Sequence, residues 1–148
     1  MGCICAKTLE DNNSISKELK NSIDSNSINI LYMEDTQIHF ELMSFMLDNY
    51  TNKKINLFWA KNMKEGYKYF KDNRVDMAFI DRIIDKRKEG DLLINQIVLE
   101  KLIDINKIIV ISSDENTTPL EKYIKKGLIY LKKPVNITNV LEIVDKNL

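Results

Sequence analysis

Hydrophobic and polar positions divide this chain into two unequal parts. Residues 8–27, "TLEDNNSISKELKNSIDSNS", are dense in Ser, Asn and charge and hold few large apolar side chains. Such a stretch buries too little apolar surface to offset the entropy of ordering it, so residues 1–27 are expected to form a flexible or weakly helical tether. After Ser27 the pattern changes. Apolar runs appear at "INILYM" (28–33), "INLFWA" (55–60), "MAFI" (77–80), "KIIVIS" (107–112) and "LIYLK" (128–132). They do not alternate cleanly, which predicts strands covered on both faces.

Helical spacing fills the gaps between these runs. Ile38, Leu42, Phe45 and Met46 predict the first stripe, and Met63, Tyr67 and Phe70 the second. Ile94, Ile97, Val98 and Leu102 predict the third, while Ile137, Val140, Leu141 and Val144 predict the last. A fourth helix is marked by its ends, with Thr118 as N-cap before Pro119 and Glu121, and Gly127 as the stop. Five strand–helix units over residues 28–148 imply a parallel sheet with helices on both faces. Ligands of such folds bind beyond the carboxyl ends of the strands. At those ends stand Glu34 and Asp35, Asp81, Ser112 and Ser113, and the pair Lys132 and Lys133 before Pro134.

Composition narrows the partners. The chain has 148 residues, enough for one domain with a real core, and Lys+Arg and Asp+Glu balance at 22 each. That neutrality gives no reason to expect a nucleic-acid partner. No apolar run approaches the ~20 residues that span a bilayer. The only cysteines, Cys3 and Cys5, cannot build a disulfide framework, which points to a reducing, cytoplasmic compartment.

The motifs "YMED", "AFID", "VISS" and "YLKKPV", in this order at successive strand ends, resemble a response-regulator receiver domain, the phosphoacceptor module of two-component phosphorelays. The resemblance covers residues 28–148. It implies a flavodoxin-like, doubly wound (βα)5 fold with a five-stranded parallel sheet in the order 2-1-3-4-5. It also implies a signalling phosphoacceptor rather than an enzyme in the ordinary sense. Asp81 would take the phosphoryl group from a histidine kinase or a histidine phosphotransfer protein. Mg²⁺ would be held by Asp35, Asp81 and the Ile83 backbone carbonyl, with Glu34 acting through a water. Lys133 would pair with Asp81 at rest, and the Lys133–Pro134 bond would be cis. Ser112 and Tyr130 would carry the switch to the face made by the fourth helix, fifth strand and fifth helix, which a downstream protein reads. Physical chemistry agrees, since carboxylates this close repel unless a cation neutralises them, and all-oxygen ligands suit Mg²⁺.

The chain departs from the family pattern after Asp81. Asp85 stands where a Pro is common, and Gly90 comes one residue late. Two other readings therefore stay open. A degenerate receiver would bind partners without phosphorylation. A small Mg²⁺-dependent phosphohydrolase could also use strand-end carboxylates, although Ile83 stands where some phosphatases carry a second acid. Taken singly, the same residues have plainer readings. Asp81 could cap a helix, Tyr130 could be a core tyrosine, His39 a surface residue at a docking face, and Trp59 packing.

The start of the chain carries its own motif. "MGCICAK" resembles an N-myristoylation signal at Gly2 with palmitoylatable Cys3 and Cys5, although Ala6 replaces the usual hydroxyl residue. It implies membrane contact only if the N-terminus is acylated in a eukaryotic cell; the alternative is a tail with two free thiols. Because the chain ends after the last helix, a stand-alone receiver without an output domain is expected.

Overall fold

The computed structural model describes residues 27–148; the stretch up to Asn26, with the expected tether and Gly2, Cys3 and Cys5, lies outside the described residues. Five strands form one sheet: β1 (Ile28–Met33), β2 (Ile55–Ala60), β3 (Met77–Asp81), β4 (Ile108–Ser112) and β5 (Ile129–Lys132). All pair in parallel, in the order β2-β1-β3-β4-β5. Consecutive parallel strands need a crossover, supplied by α1 (Gln37–Tyr50), α2 (Met63–Asp72), α3 (Glu89–Glu100) and the short α4 (Glu121–Ile124), and α5 (Ile137–Asn147) follows the last strand.

The alternation of side chains along each strand builds two cores. Ile30, Tyr32, Met77, Phe79, Ile109 and Ile111 pack under Phe40, Met43 and Leu47 of α1 and Val140 and Val144 of α5. Leu31, Met33, Ala78, Ile80, Ile108 and Val110 meet α2, α3 and α4 through Tyr69, Phe70, Leu93, Ile94, Ile97 and Tyr123. Strands sandwiched in this way have little wet face, which is why their sequences are mostly apolar, with buried Asn29 and Asn56 near the starts of β1 and β2 and polar residues at the carboxyl ends of β3, β4 and β5. The strand order reverses between β1 and β3, and the carboxyl ends of these strands border the crevice where such folds bind ligands.

Two sequence expectations need correction. Most of the predicted stripe on α1 faces water: Ile38, Leu42 and Phe45 are 57%, 53% and 57% exposed, and of the four only Met46 packs, half-buried, against the core. Helical spacing recurs one step over, at Phe40, Met43, Ser44 and Leu47, and this is the buried face. Phe40 decides the rotation of the helix by stacking on Trp59, with ring centroids 5.0 Å apart and planes at 11°. The second correction concerns Thr118, which does not cap a helix. It begins a 3-10 turn, Thr118–Leu120, that leads into α4. Its N–H is taken instead by the Asn116 side chain, at 3.2 Å, so the stabilising turn lies upstream of Pro119.

Candidate functional site

Register brings the acids together. Met33 of β1 lies opposite Ile80 of β3, so the residues that follow leave the sheet side by side. The N–H of Glu34 donates to the Ala60 carbonyl at 2.9 Å, and Trp59 Nε1 donates to the Glu34 carbonyl at 2.5 Å. The backbone at Glu34 is thus held by β2 and cannot drift from the crevice. Carboxylate oxygens of Glu34, Asp35 and Asp81 all lie within 4.8 Å of one another.

Glu34 is 1% exposed. It accepts from the Tyr32 hydroxyl (3.3 Å) and the Thr36 N–H (3.1 Å), and it lies 3.3 Å from His39 Nδ1 and 3.7 Å from Lys133 Nζ. Burial pushes its carboxyl above the usual range, against the downward pull of Lys133. Burial acts in the same direction on the Tyr32 hydroxyl, which stays protonated beside the acids.

Lys133 reaches the cluster from β5. Its Nζ donates to Asp81 Oδ2 at 2.7 Å, while the Ile83 N–H donates to Asp81 Oδ1 at 3.2 Å. Burial works against the lysine's charge, but the bond to Asp81 and the nearby Glu34 and Asp35 carry its pKa above the ordinary value. The Lys133–Pro134 bond is cis. Strand alternation sends Lys132 the other way, where it is exposed and pairs with Glu115.

The unusual loop after β3 has a definite shape. Ile84 and Arg87 exchange both backbone hydrogen bonds at 2.9 Å, and Asp85 and Lys86 between them have φ of 48° and 61°. Two positive φ values in a two-residue connection make a tight hairpin turn of the kind that favours Asn, Asp and Gly. This turn aims the Asp85 N–H at Asp35 Oδ2, 3.1 Å away. Partial burial works to raise Asp35, but this bond, with those to its other neighbours, holds its carboxyl below the usual range. Gly90, one residue late, packs directly on the backbone at the end of β3. A Cβ there would lie 2.1 Å from the Asp81 carbonyl oxygen, a distance no side chain tolerates.

The remaining candidates lie at the same edge but bond elsewhere. Ser112 is buried and its Oγ accepts from the Asp114 N–H at 3.0 Å. The Tyr130 hydroxyl donates to the Asp114 carbonyl. His39 is an exposed residue whose ring touches Glu34. One feature was missed by sequence reasoning: Arg82, directly after Asp81, is wholly buried and forms a two-pronged ion pair with Asp91 at 2.9 and 3.1 Å. Its signal was present as an Arg on an apolar strand end followed nine residues later by Asp at a helix start, a pairing that charge composition alone does not reveal.

A fold with this edge can be compared with known families. The model described as "Response regulator receiver domain" matches residues 30–145. The chain belongs to that family. Among solved structures it is similar to a response regulator from Thermotoga maritima, at 23% identity and a TM-score of 0.64 over 81% of this chain and 96% of that one. A CheY-like receiver domain protein from Methanospirillum hungatei JF-1 shares 19% identity at a TM-score of 0.65, covering 80% and 91% of the two chains. The receiver domain of the Francisella response regulator 1452 shares 21% at 0.62, over 80% and 93%. These likenesses show the fold. No curated protein sequence matches the chain significantly. Receiver domains of two-component systems bind Mg²⁺ in an acidic pocket, and in this receiver Glu34, Asp35 and Asp81 are the acids brought together.

Proposed function

We propose that this receiver accepts a phosphoryl group on Asp81 from a phosphohistidine donor and passes the signal on by changing its protein contacts. The observation that carries this reading is the 2.7 Å ion pair between Asp81 and Lys133 inside a cluster of three carboxylates. One ammonium cannot balance three acids, and the donors are all oxygen, so the cluster fits a hard divalent cation. Asp35, Asp81 and the Ile83 carbonyl would hold Mg²⁺ directly, with Glu34 acting through a water. Bound there, Mg²⁺ supplies charge neutralisation for the transferring phosphoryl oxygens.

Each residue then has a task. The Ile83 N–H and Lys133 orient the Asp81 carboxylate, one at each oxygen. An Asp81 oxygen attacks phosphorus with a remaining lone pair, a P–O bond forms, the P–N bond to the donor imidazole breaks, and the nitrogen keeps the electron pair. Lys133 follows the new charge by bonding a phosphoryl oxygen. Ser112 donates its hydroxyl to another, which pulls on the Asp114 segment to which Tyr130 is bonded. A downstream protein reads the resulting face of α4, β5 and α5. Ile38, in the first turn of α1, and Ile83, two residues after Asp81, are exposed apolar residues on the segments that follow the acids, where a donor could rest.

Among the described residues no helix is long and apolar enough to cross a membrane. A cytoplasmic receiver, tethered by acyl chains on Gly2, Cys3 and Cys5 if the cell is eukaryotic, fits the sequence.

The deciding experiment is a phosphate-affinity gel of the full chain with Mg²⁺ and a small acyl phosphate, beside Asp81→Ala. A shifted, hydroxylamine-labile band that requires both Mg²⁺ and Asp81 is expected. Absence of the band with Mg²⁺ binding intact would favour a receiver that works unphosphorylated, and steady release of inorganic phosphate from small phosphoesters would favour a hydrolase.

A further inference from the structure

Arg82 has the largest fully buried side chain among the described residues. Burying a guanidinium is costly unless its donors are matched. Here they are spent on the first turn of α3 and the loop after β4, and the guanidinium also bonds the Tyr130 hydroxyl of β5. Nε and Nη2 grip Asp91 in the first turn of α3, and Nη1 donates to the Asn116 carbonyl at 2.7 Å, with Asp114 Oδ2 3.6 Å away. Asn116 and Asp114 belong to the loop between β4 and α4. In that loop the Asp114 N–H occupies Ser112 Oγ, the Asp114 carbonyl takes the Tyr130 hydroxyl, and the Asn116 N–H returns to Asp114 Oδ1 at 2.9 Å. Arg82 is also the residue after Asp81, and its own carbonyl takes the Gly90 N–H at 3.0 Å. One buried cation therefore ties the start of α3 and the loop after β4 to the backbone that carries Asp81.

The geometry points to Arg82 as a positioning residue that clasps the β4–α4 loop in its resting arrangement and so sets how readily Ser112 and Tyr130 answer a phosphoryl group on Asp81. The second half of this inference rests on the reading of Asp81 as phosphoacceptor; the clasp itself does not. For the Ser112 hydroxyl to reach a group on Asp81 while its oxygen keeps the bond from the Asp114 N–H, residues 113–116 must shift with it. The hold on the Asn116 carbonyl resists that shift, and Asp91 fixes the guanidinium so that it cannot follow the loop.

The test uses the full chain with Arg82→Met paired with Asp91→Leu, which removes both charges and keeps apolar bulk, so no buried charge is orphaned. Arg82→Lys is the companion variant, because it keeps the charge but loses the fork. Hydrogen exchange at residues 113–117 should quicken about tenfold in both variants while Ile80 and Val110 keep their protection. With a small acyl phosphate, phosphoprotein should form about threefold faster, because less of the population is held at rest. Mg²⁺ affinity, read from Trp59 fluorescence, should stay within about twofold, since the side chain of Arg82 lies outside the acid cluster. A folded double variant with native exchange at 113–117 overturns the clasp, as does an Arg82→Lys chain that behaves as native. Native exchange with no phosphoprotein in any chain overturns both readings. Accelerated exchange with no phosphoprotein even in the unaltered chain keeps the clasp and overturns Asp81 as phosphoacceptor. Accelerated exchange with an unchanged phosphorylation rate keeps the contact but overturns its control of the switch.

Discussion

The two ends of β1 each hold buried polar groups, and they are built on opposite terms. At the amino end, Asn29 Nδ2 donates to the Arg74 carbonyl at 2.8 Å, and the Asn29 N–H donates to Asp76 Oδ2 at 2.8 Å. Asn56 Nδ2 bonds Asn29 Oδ1 and Ser27 Oγ, and Arg74 pairs with Asp76 at 3.4 Å. Neutral amides and one matched ion pair close this network, and only Asn56 Oδ1 lacks a partner among the described residues. At the carboxyl end, three carboxylates crowd one ammonium. The first end balances its own charge without help and serves stability. The second carries unbalanced charge, which costs folding energy and is retained where a cation and a reaction can use it.

The sharpest way to break this contrast is Asp81→Asn. Phosphoprotein formation should fall by roughly 10⁴-fold or more, as nucleophile removal does elsewhere. Stability should hold or rise, because one of three crowded charges is gone. A urea melt beside the phosphate-affinity gel checks both halves, and a variant that loses stability instead would mean that Asp81 is structural.

Asn29→Ala attacks the other end. It leaves the Arg74 carbonyl and one Asn56 N–H without their buried partner, a loss of about 3 kcal/mol. Urea melts should show that loss while the response to Mg²⁺ stays native. If Mg²⁺ binding weakens in step with stability, the two ends are not independent.

Adding Mg²⁺ is a smaller perturbation. At ten times its dissociation constant it should stabilise the fold by about 1.4 kcal/mol, and Asp35→Asn should abolish the gain. A thermal melt with Ca²⁺ and Na⁺ as controls separates a coordinated ion from salt screening.

How much of this could be read from the chain depends on what each residue is surrounded by. The strands were legible because a strand covered on both faces must be mostly apolar, and no other element here writes that signature so compactly. Glu34, Asp35, Asp81 and Lys133 were legible because each follows such a run, and parallel pairing leaves them one edge to share. The buried face of α1 was not, since Ile38, Leu42 and Phe45 offer a helical stripe as good as Phe40, Met43 and Leu47. The stacking of Phe40 on Trp59 chooses between them, and that contact is remote in sequence. Arg82 was hidden for a related reason. A charged residue in "DRIIDKRKEG" looks solvated until Asp91 and Asn116 are folded around it.

The finest probe of the contrast is pH, and its sign follows from Glu34. Burial raises this carboxyl above its unfolded value, so within the raised window the folded chain keeps a proton that the unfolded chain has released. Without Mg²⁺, stability should therefore fall as pH rises from the ordinary glutamate range through that window. Asp35, held below its usual range, works oppositely; its contribution is complete above the unfolded value and is lost only in acid. Mg²⁺ favours ionised Glu34 and displaces the proton, so its apparent affinity should climb with pH over the same window, by less than about one decade per pH unit for a single proton. Glu34→Gln should flatten both trends, whereas Asn29→Ala should leave both slopes in place on a lower baseline. Urea melts with and without Mg²⁺ at stepped pH measure all of this. A Mg²⁺ affinity that ignores pH would mean that Glu34 is already ionised and that its charge is balanced by Lys133 alone, and the carboxyl end would then be as balanced as the amino end.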